Sequence, residues 1–170
     1  MAPLLGQASD GISNLDPTPL YPFGHGLSYT TFDYEELRAV ADRWPTDDEV
    51  VITVRVANTG AVAGDDVVQL YLTDEIAQVT RPVRTLIGYA RIHLEPGRSA
   101  EVDFLLHADR TSFTGVDYQR VVEPGWVVLS CGPSVADLPL SARLELVGPL
   151  REVAQPALVT PTRVRAKPDA

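Results

Sequence analysis

The residues in this sequence best equipped for chemistry are its carboxylates, because two of them converging on one bond can supply an acid and a base or nucleophile. Adjacent pairs occur at Asp65-Asp66, at Asp74-Glu75 and within Asp47-Asp48-Glu49. All fall at strand ends or in turns, where Asp bonds locally to the backbone. Neighbours on a strand also point to opposite faces, so these pairs do not converge. They read as solvated loop charges, with a loose calcium site at Asp65 and Asp66 as the alternative. His25, His93 and His107 lie far apart, at no spacing that suits zinc, and read as surface or packing residues. No catalytic, cofactor-binding or metal-binding residue is assigned.

Other chemistries find less support. Gly24-His25-Gly26 follows a proline-rich loop rather than a strand, so it does not form a nucleotide cradle. No Gly-X-Ser-X-Gly is present, and Cys131 has no cysteine–histidine pattern around it. Aromatic side chains stack on sugar rings, and Tyr21, Tyr29, Tyr71, Tyr89, Tyr118, Trp44 and Trp126 are candidates for that. Their spacing suits core or interdomain packing better.

The elements that must position these residues are short strands. Val50, Ile52, Val54 and Val56 alternate with Val51, Thr53, Arg55 and Ala57, the period of a strand with one buried face. Asn58-Thr59-Gly60 then turns the chain. Val67 to Thr73 sets Val68, Leu70 and Leu72 against Gln69, Tyr71 and Thr73. Thr85 to Leu94 ends at Glu95-Pro96-Gly97, and Ala100, Val102, Phe104 and Leu106 form the next buried face. Val116 to Val122, Trp126 to Cys131 and Ser141 to Val147 complete the series. Tyr29–Val40 is the first strand, with a helical turn over Tyr34 to Val40 as the alternative. These make about eight strands without intervening amphipathic helices, which predicts an all-β fold. The expected architecture is an immunoglobulin- or fibronectin type III-like antiparallel β-sandwich, with a closed barrel as competitor. Residues 1–28, punctuated by Gly6, Gly11, Pro17, Pro19, Pro22, Gly24 and Gly26, read as an extended N-terminal arm from an upstream domain. The sandwich spans 29–148. Residues 149–170 read as a flexible C-terminal tail, with a short strand near Ala157–Val159 as a weaker reading.

At 170 residues the chain holds one domain plus extensions. Its formal net charge of −9 repels phosphate backbones and anionic lipid, so nucleic acid and membrane are not expected partners. No apolar run approaches the ~20 residues that span a bilayer. A single cysteine, Cys131, permits no intrachain disulfide. The opening Met1-Ala2-Pro3-Leu4-Leu5-Gly6-Gln7 lacks the charged start of an export signal, so the chain as written is expected in the cytoplasm.

Pro19-Leu20-Tyr21-Pro22-Phe23-Gly24-His25-Gly26-Leu27-Ser28-Tyr29-Thr30 is the most specific segment. It resembles the lead into the C-terminal fibronectin type III-like domain of family-3 glycoside hydrolases, which include β-glucosidases and β-xylosidases. Further blocks follow in order: Val56 to Gly60, Ala63 to Tyr71, Arg81 to Tyr89, Leu94 to Gly97, Val122 to Gly125, and Cys131 to Ser134. Position 25, often Tyr in the family, is His here.

The resemblance implies a parent that removes terminal sugars from β-linked glycosides with retention. In that family the nucleophile sits in a (β/α)₈ barrel and the acid/base usually in a following α/β domain. Neither domain is present here, and Ser9-Asp10-Gly11 is no nucleophile motif. The implied function is therefore a non-catalytic accessory domain bracing those catalytic domains. Tyr21, Phe23, Gly24, His25, Gly26, Leu27 and Tyr29 are the expected docking residues: Gly24 and Gly26 let the loop turn while the large side chains bury against a neighbour. No cofactor is expected. Two rival readings are a stand-alone carbohydrate-binding module with weak sugar contact, and a partner of a separately encoded catalytic half.

Overall fold

The computed structural model describes residues 19–166. Twelve strands make up almost all of the regular structure among them. In chain order they are β1 (Phe32–Ala39), β2 (Arg43–Pro45), β3 (Glu49–Asn58), β4 (Gly64–Asp74), β5 (Thr85–Leu94), β6 (Ser99–His107), β7 (Phe113–Thr114), β8 (Arg120–Val122), β9 (Gly125–Gly132), β10 (Leu140–Val147), β11 (Arg151–Glu152) and β12 (Thr162–Ala166). A single 3₁₀ turn, Ala108–Thr111, follows β6.

One sheet runs β1-β3-β6-β12 and the other β2-β10-β9-β4-β5. A small sheet, β11-β8-β7, closes one end. The inner faces are those the alternation predicts. Ile52, Val54 and Val56 of β3 and Val102, Phe104 and Leu106 of β6 are fully buried. Val68, Leu70 and Leu72 of β4, Leu129 and Cys131 of β9, and Leu144 and Leu146 of β10 complete the core with them. A sandwich results because each sheet has one apolar face and can bury it only against the other.

Local features depart from simple alternation for identifiable reasons. The register of β1 against β3 shifts between Tyr34 and Glu36, a bulge at Glu35. The broken alternation there is what resembles a helical turn, yet the segment is a strand. A second bulge lets Ile87 of β5 and, beyond it, Ala90, Ile92 and Leu94 all face the core. Of the stretch 116–122, only Arg120–Val122 is strand; Tyr118 sits at φ 60° in the preceding turn. Strand β2 has no sequence period because it is three residues long. It pairs parallel with β10 in an otherwise antiparallel fold and buries Trp44 completely.

The clearest correction concerns residues 149–166, expected as a flexible tail. They carry β11 and β12, and β12 pairs with β6 over five residues. The expected short strand therefore lies at Thr162–Ala166 and not at Ala157–Val159. Its alternation is invisible to a hydrophobic-period argument because all five of its residues are exposed. Residues 1–18 of the expected arm, with Ser9-Asp10-Gly11, and residues 167–170 of the expected tail lie outside the described residues.

Candidate functional site: the arm on the outer sheet face

The outer face of the five-stranded sheet is where the sequence pattern is least informative. On β4, Gln69, Tyr71 and Thr73 alternate outward, yet Gln69 and Tyr71 are buried. Residues 19–28 cross over them. Gln69 is the clamp: its Nε2 donates to Gly24 O at 3.0 Å and to Pro133 O at 2.5 Å. Its Oε1 accepts the Tyr71 hydroxyl at 2.6 Å. The Val135 amide donates to Phe23 O at 3.0 Å, so the arm backbone is held on both sides of Gly24.

Gly24 is required at its position. Its φ is +82°, and a Cβ there would lie 2.0 Å from the Gln69 Oε1. Gly26 is different, since its φ is not positive and an added Cβ would meet nothing within 4 Å. Within this chain a backbone and steric demand for glycine thus exists at Gly24, whereas Gly26 answers no steric demand.

The exit of the arm is tied by Asn58, which is fully buried. Its Oδ1 accepts from Thr30 Oγ1 at 2.7 Å and Gly60 N at 3.0 Å. Its Nδ2 donates to Val62 O and Leu94 O, both at 2.9 Å. The residue that reads in sequence as turn chemistry is thus also the knot joining the arm to two strands.

While its backbone is pinned, the arm's large side chains face outward. Tyr21 and Phe23 are well exposed, Leu27 is 93% exposed and Tyr29 fully so. The His25 ring stacks on Tyr21 at 5.1 Å between centroids. Beside the arm an open groove of about 550 Å³ is lined by Phe23, Leu27, Val67, Leu86 and Tyr89. Val67 and Tyr89 are themselves exposed and continue the apolar surface onto β4 and β5. The rim is charged: Asp65 accepts from Arg91 at 2.9 Å and lies 3.1 Å from His93 Nδ1. The bonds from Arg91 and then His93 hold its carboxyl below the usual carboxylate range.

Five of the seven carboxylates that open the chemical question have a local partner. Asp66 accepts the Tyr34 hydroxyl at 2.8 Å on the face opposite Asp65. Asp74 pairs with Arg81, whose guanidinium also lies over the Phe113 ring. Glu75 takes a bidentate contact from Arg143 at 3.0 and 2.6 Å. Asp48 accepts the amide of Glu49. Among the described residues no group of three or more His, Cys, Asp or Glu is placed to hold a metal ion. His107 accepts the Asp109 amide and caps the 3₁₀ turn.

The aromatic candidates divide cleanly. Trp44 and Tyr71 are buried. Trp126 is partly exposed, and Arg143 lies over one face of its ring at 4.1 Å. Tyr21, Tyr29, Tyr89 and Tyr118 remain exposed, the first three around the arm. Sequence reasoning missed Gln69 and Asp109, since an isolated polar residue in a strand or loop reads as solvated.

Residues 66–135 match the fibronectin type III-like domain family. The chain is 43% identical to a β-xylosidase of Formosa agariphila over 119 residues, 70% of this chain and 16% of that protein. It is 42% identical to a β-glucosidase of Bacteroides ovatus over 109 residues, 63% of this chain and 14% of that one. Among solved structures, a β-glucosidase from Erythrobacter marinus superposes with a TM-score of 0.74 at 42% identity, covering 79% of this chain and 18% of the other. The chain thus spans less than a fifth of each of these three proteins. Sandwich topology, the arm motif and these matches agree that the chain belongs to the fibronectin type III-like domains of family-3 glycoside hydrolases.

Proposed function

We propose that this domain is a non-catalytic brace for the catalytic domains of a retaining, exo-acting β-glucosidase or β-xylosidase, and that the arm at residues 20–29 is its docking element. The observation that carries the proposal is the opposition between the arm's two sides. Its backbone is fixed by Gln69 and Val135, while Leu20, Tyr21, Phe23, Leu27 and Tyr29 project into solvent. An arm that merely covered its own sheet would turn those side chains inward. An apolar surface of this kind, rimmed by Asp65 and Arg91, has the character of an interface. The relatives are much longer than this chain, which leaves room for partner domains, and the family resemblance implies that these are a (β/α)₈ barrel and an α/β domain.

The non-catalytic half of the proposal rests on Asp65, Asp66, Asp74 and Glu75, each of which is held by a different side chain. Hydrolysis of a panel of aryl β-glycosides by the purified chain tests it. Turnover no faster than buffer is expected; turnover that survives purification and vanishes on mutating one carboxylate would overturn it. Docking is tested by replacing Tyr21, Phe23, Leu27 and Tyr29 with Ser. The chain's own melting temperature should stay unchanged while association with separately produced catalytic domains is lost.

A further inference from the structure

At the free edge of the five-stranded sheet, the returning C-terminal segment lies against β5 and borders a second open groove, of about 460 Å³. Tyr89, Arg110, Leu158, Thr160 and Thr162 line it. The segment is held there by the Thr160 hydroxyl, which donates to Ile87 O at 2.5 Å, and by the Leu105 amide, which donates to Pro161 O at 2.9 Å. The walls are therefore fixed by the chain's own bonds.

Arg110, from the 3₁₀ turn, is the one charged residue of this lining. Its Nη1 donates to Leu158 O at 2.5 Å and its Nη2 to Ile87 O at 3.1 Å, while its Nε is shielded from solvent and has no partner among the described residues. The carbonyls take only part of its N–H groups, and they supply dipoles rather than a countercharge. Asp109, beside it in sequence, is committed to Arg151 and the Ala157 amide. Burial, and then the like charge of Arg120, lower the Arg110 pKa, and no carboxylate acts on it in the opposite sense. Most other arginines here, among them Arg55, Arg81, Arg143 and Arg151, pair with Asp or Glu. A part-buried cation without a countercharge is a costly arrangement, and a bound carboxylate relieves it.

The rest of the lining restricts what carries that carboxylate. Tyr89 and Leu158 are exposed and offer an aromatic and an aliphatic wall. Thr160 Oγ keeps lone pairs beyond its bond to Ile87, and Thr162 is exposed at the rim. An aromatic wall, hydroxyls and a guanidinium together suit a hydroxylated ring that bears a carboxylate. We infer that this groove binds a hexuronic acid: Arg110 pairs with the carboxylate, Thr160 and Thr162 meet the ring hydroxyls, and Tyr89 flanks the ring. The site is separate from docking through the arm, since the groove is formed by the C-terminal segment, β5 and the 3₁₀ turn.

Two-dimensional NMR of the full chain reads the site directly, with methyl β-D-glucuronide, methyl β-D-glucoside and acetate titrated separately. The glucuronide should bind saturably in the millimolar range and shift the amides of Ile87 to Tyr89 and of Leu158 to Thr160. The glucoside lacks the charge and acetate lacks the ring, so each should bind at least about tenfold more weakly. Arg110→Gln should abolish the glucuronide shifts, with circular dichroism to check its fold; the comparison of the three probes on the wild-type chain stands without that variant. Glucuronide that leaves these amides unmoved, or that binds a folded Arg110→Gln chain equally well, would overturn the inference. So would a glucoside that binds as tightly, which removes the charge from the recognition, or acetate that does, which removes the ring.

Discussion

Replacing Gln69 with Leu removes the clamp while keeping nearly the same volume. Three hydrogen bonds go: two from Nε2 to the carbonyls of Gly24 and Pro133, and one accepted from Tyr71. The Tyr71 hydroxyl is the costly loss, because it is buried and, among the described residues, bonds only to Gln69. An unpaired buried donor costs about 1–3 kcal/mol. The two carbonyls lie at the part-buried edge of the arm, where water can replace the amide, and add about 1 kcal/mol between them. Burial of the leucine offsets part of this. The net expectation is a destabilisation of about 2 kcal/mol, or roughly 6 °C in melting temperature for a chain of this length. Urea titration measures the first, and chymotryptic cleavage at Tyr21, Phe23 or Tyr29 should quicken as the arm loosens. Adding Tyr71→Phe to Gln69→Leu should recover about 1 kcal/mol, since it removes the orphaned hydroxyl. A Gln69→Leu chain within about 0.5 kcal/mol of the parent would refute the clamp, because that is the scatter of an ordinary surface substitution.

Asp109 ties the 3₁₀ turn to the C-terminal segment through Arg151 and the Ala157 amide, with His107 3.3 Å away. Burial alone would raise its pKa, but the bonds from Arg151 and Ala157 outweigh burial and lower it. Its contribution is therefore present above the unfolded-state value of about 3.9 and is lost as pH falls through the lower folded value. Urea midpoints taken from pH 6 down to pH 2 should fall further for the parent than for Asp109→Asn. Trp44 fills the core from β2 and donates Nε1 to Asp48 O at 3.0 Å, so Trp44→Ala should cost about 3–5 kcal/mol by denaturant titration. Burial, with the Asp66 charge, pushes the Cys131 thiol well above its ordinary range. A thiol reagent at pH 8 should leave the native chain untouched and react fully in denaturant.

The β-sandwich is legible in the sequence because its core strands alternate, and strand boundaries such as Thr85–Leu94 coincide with the observed element. What resists reading has physical causes. β2 is too short for a period, and β12 lacks a buried face to create one. Gln69 occupies an outward position, and only the arm laid across it reveals that outward there means buried. Asp109 reads as a loop charge until the returning C-terminal segment supplies Arg151 and Ala157. In each case the missing information is a non-local contact. The arm motif is legible for the opposite reason: its proline–aromatic–glycine order is a local signature, with Gly24 set by backbone conformation.

The most direct test of the account transplants this domain into a whole enzyme. The β-glucosidase of Erythrobacter marinus carries the corresponding domain at 42% identity. Exchanging that domain for this chain, with and without Ser at Tyr21, Phe23, Leu27 and Tyr29, allows thermal inactivation of the two chimaeras to be compared. The account predicts that the intact arm preserves activity on heating and that the Ser arm loses it markedly sooner, although the isolated domains melt together. Equal inactivation of the two chimaeras would contradict docking through the arm.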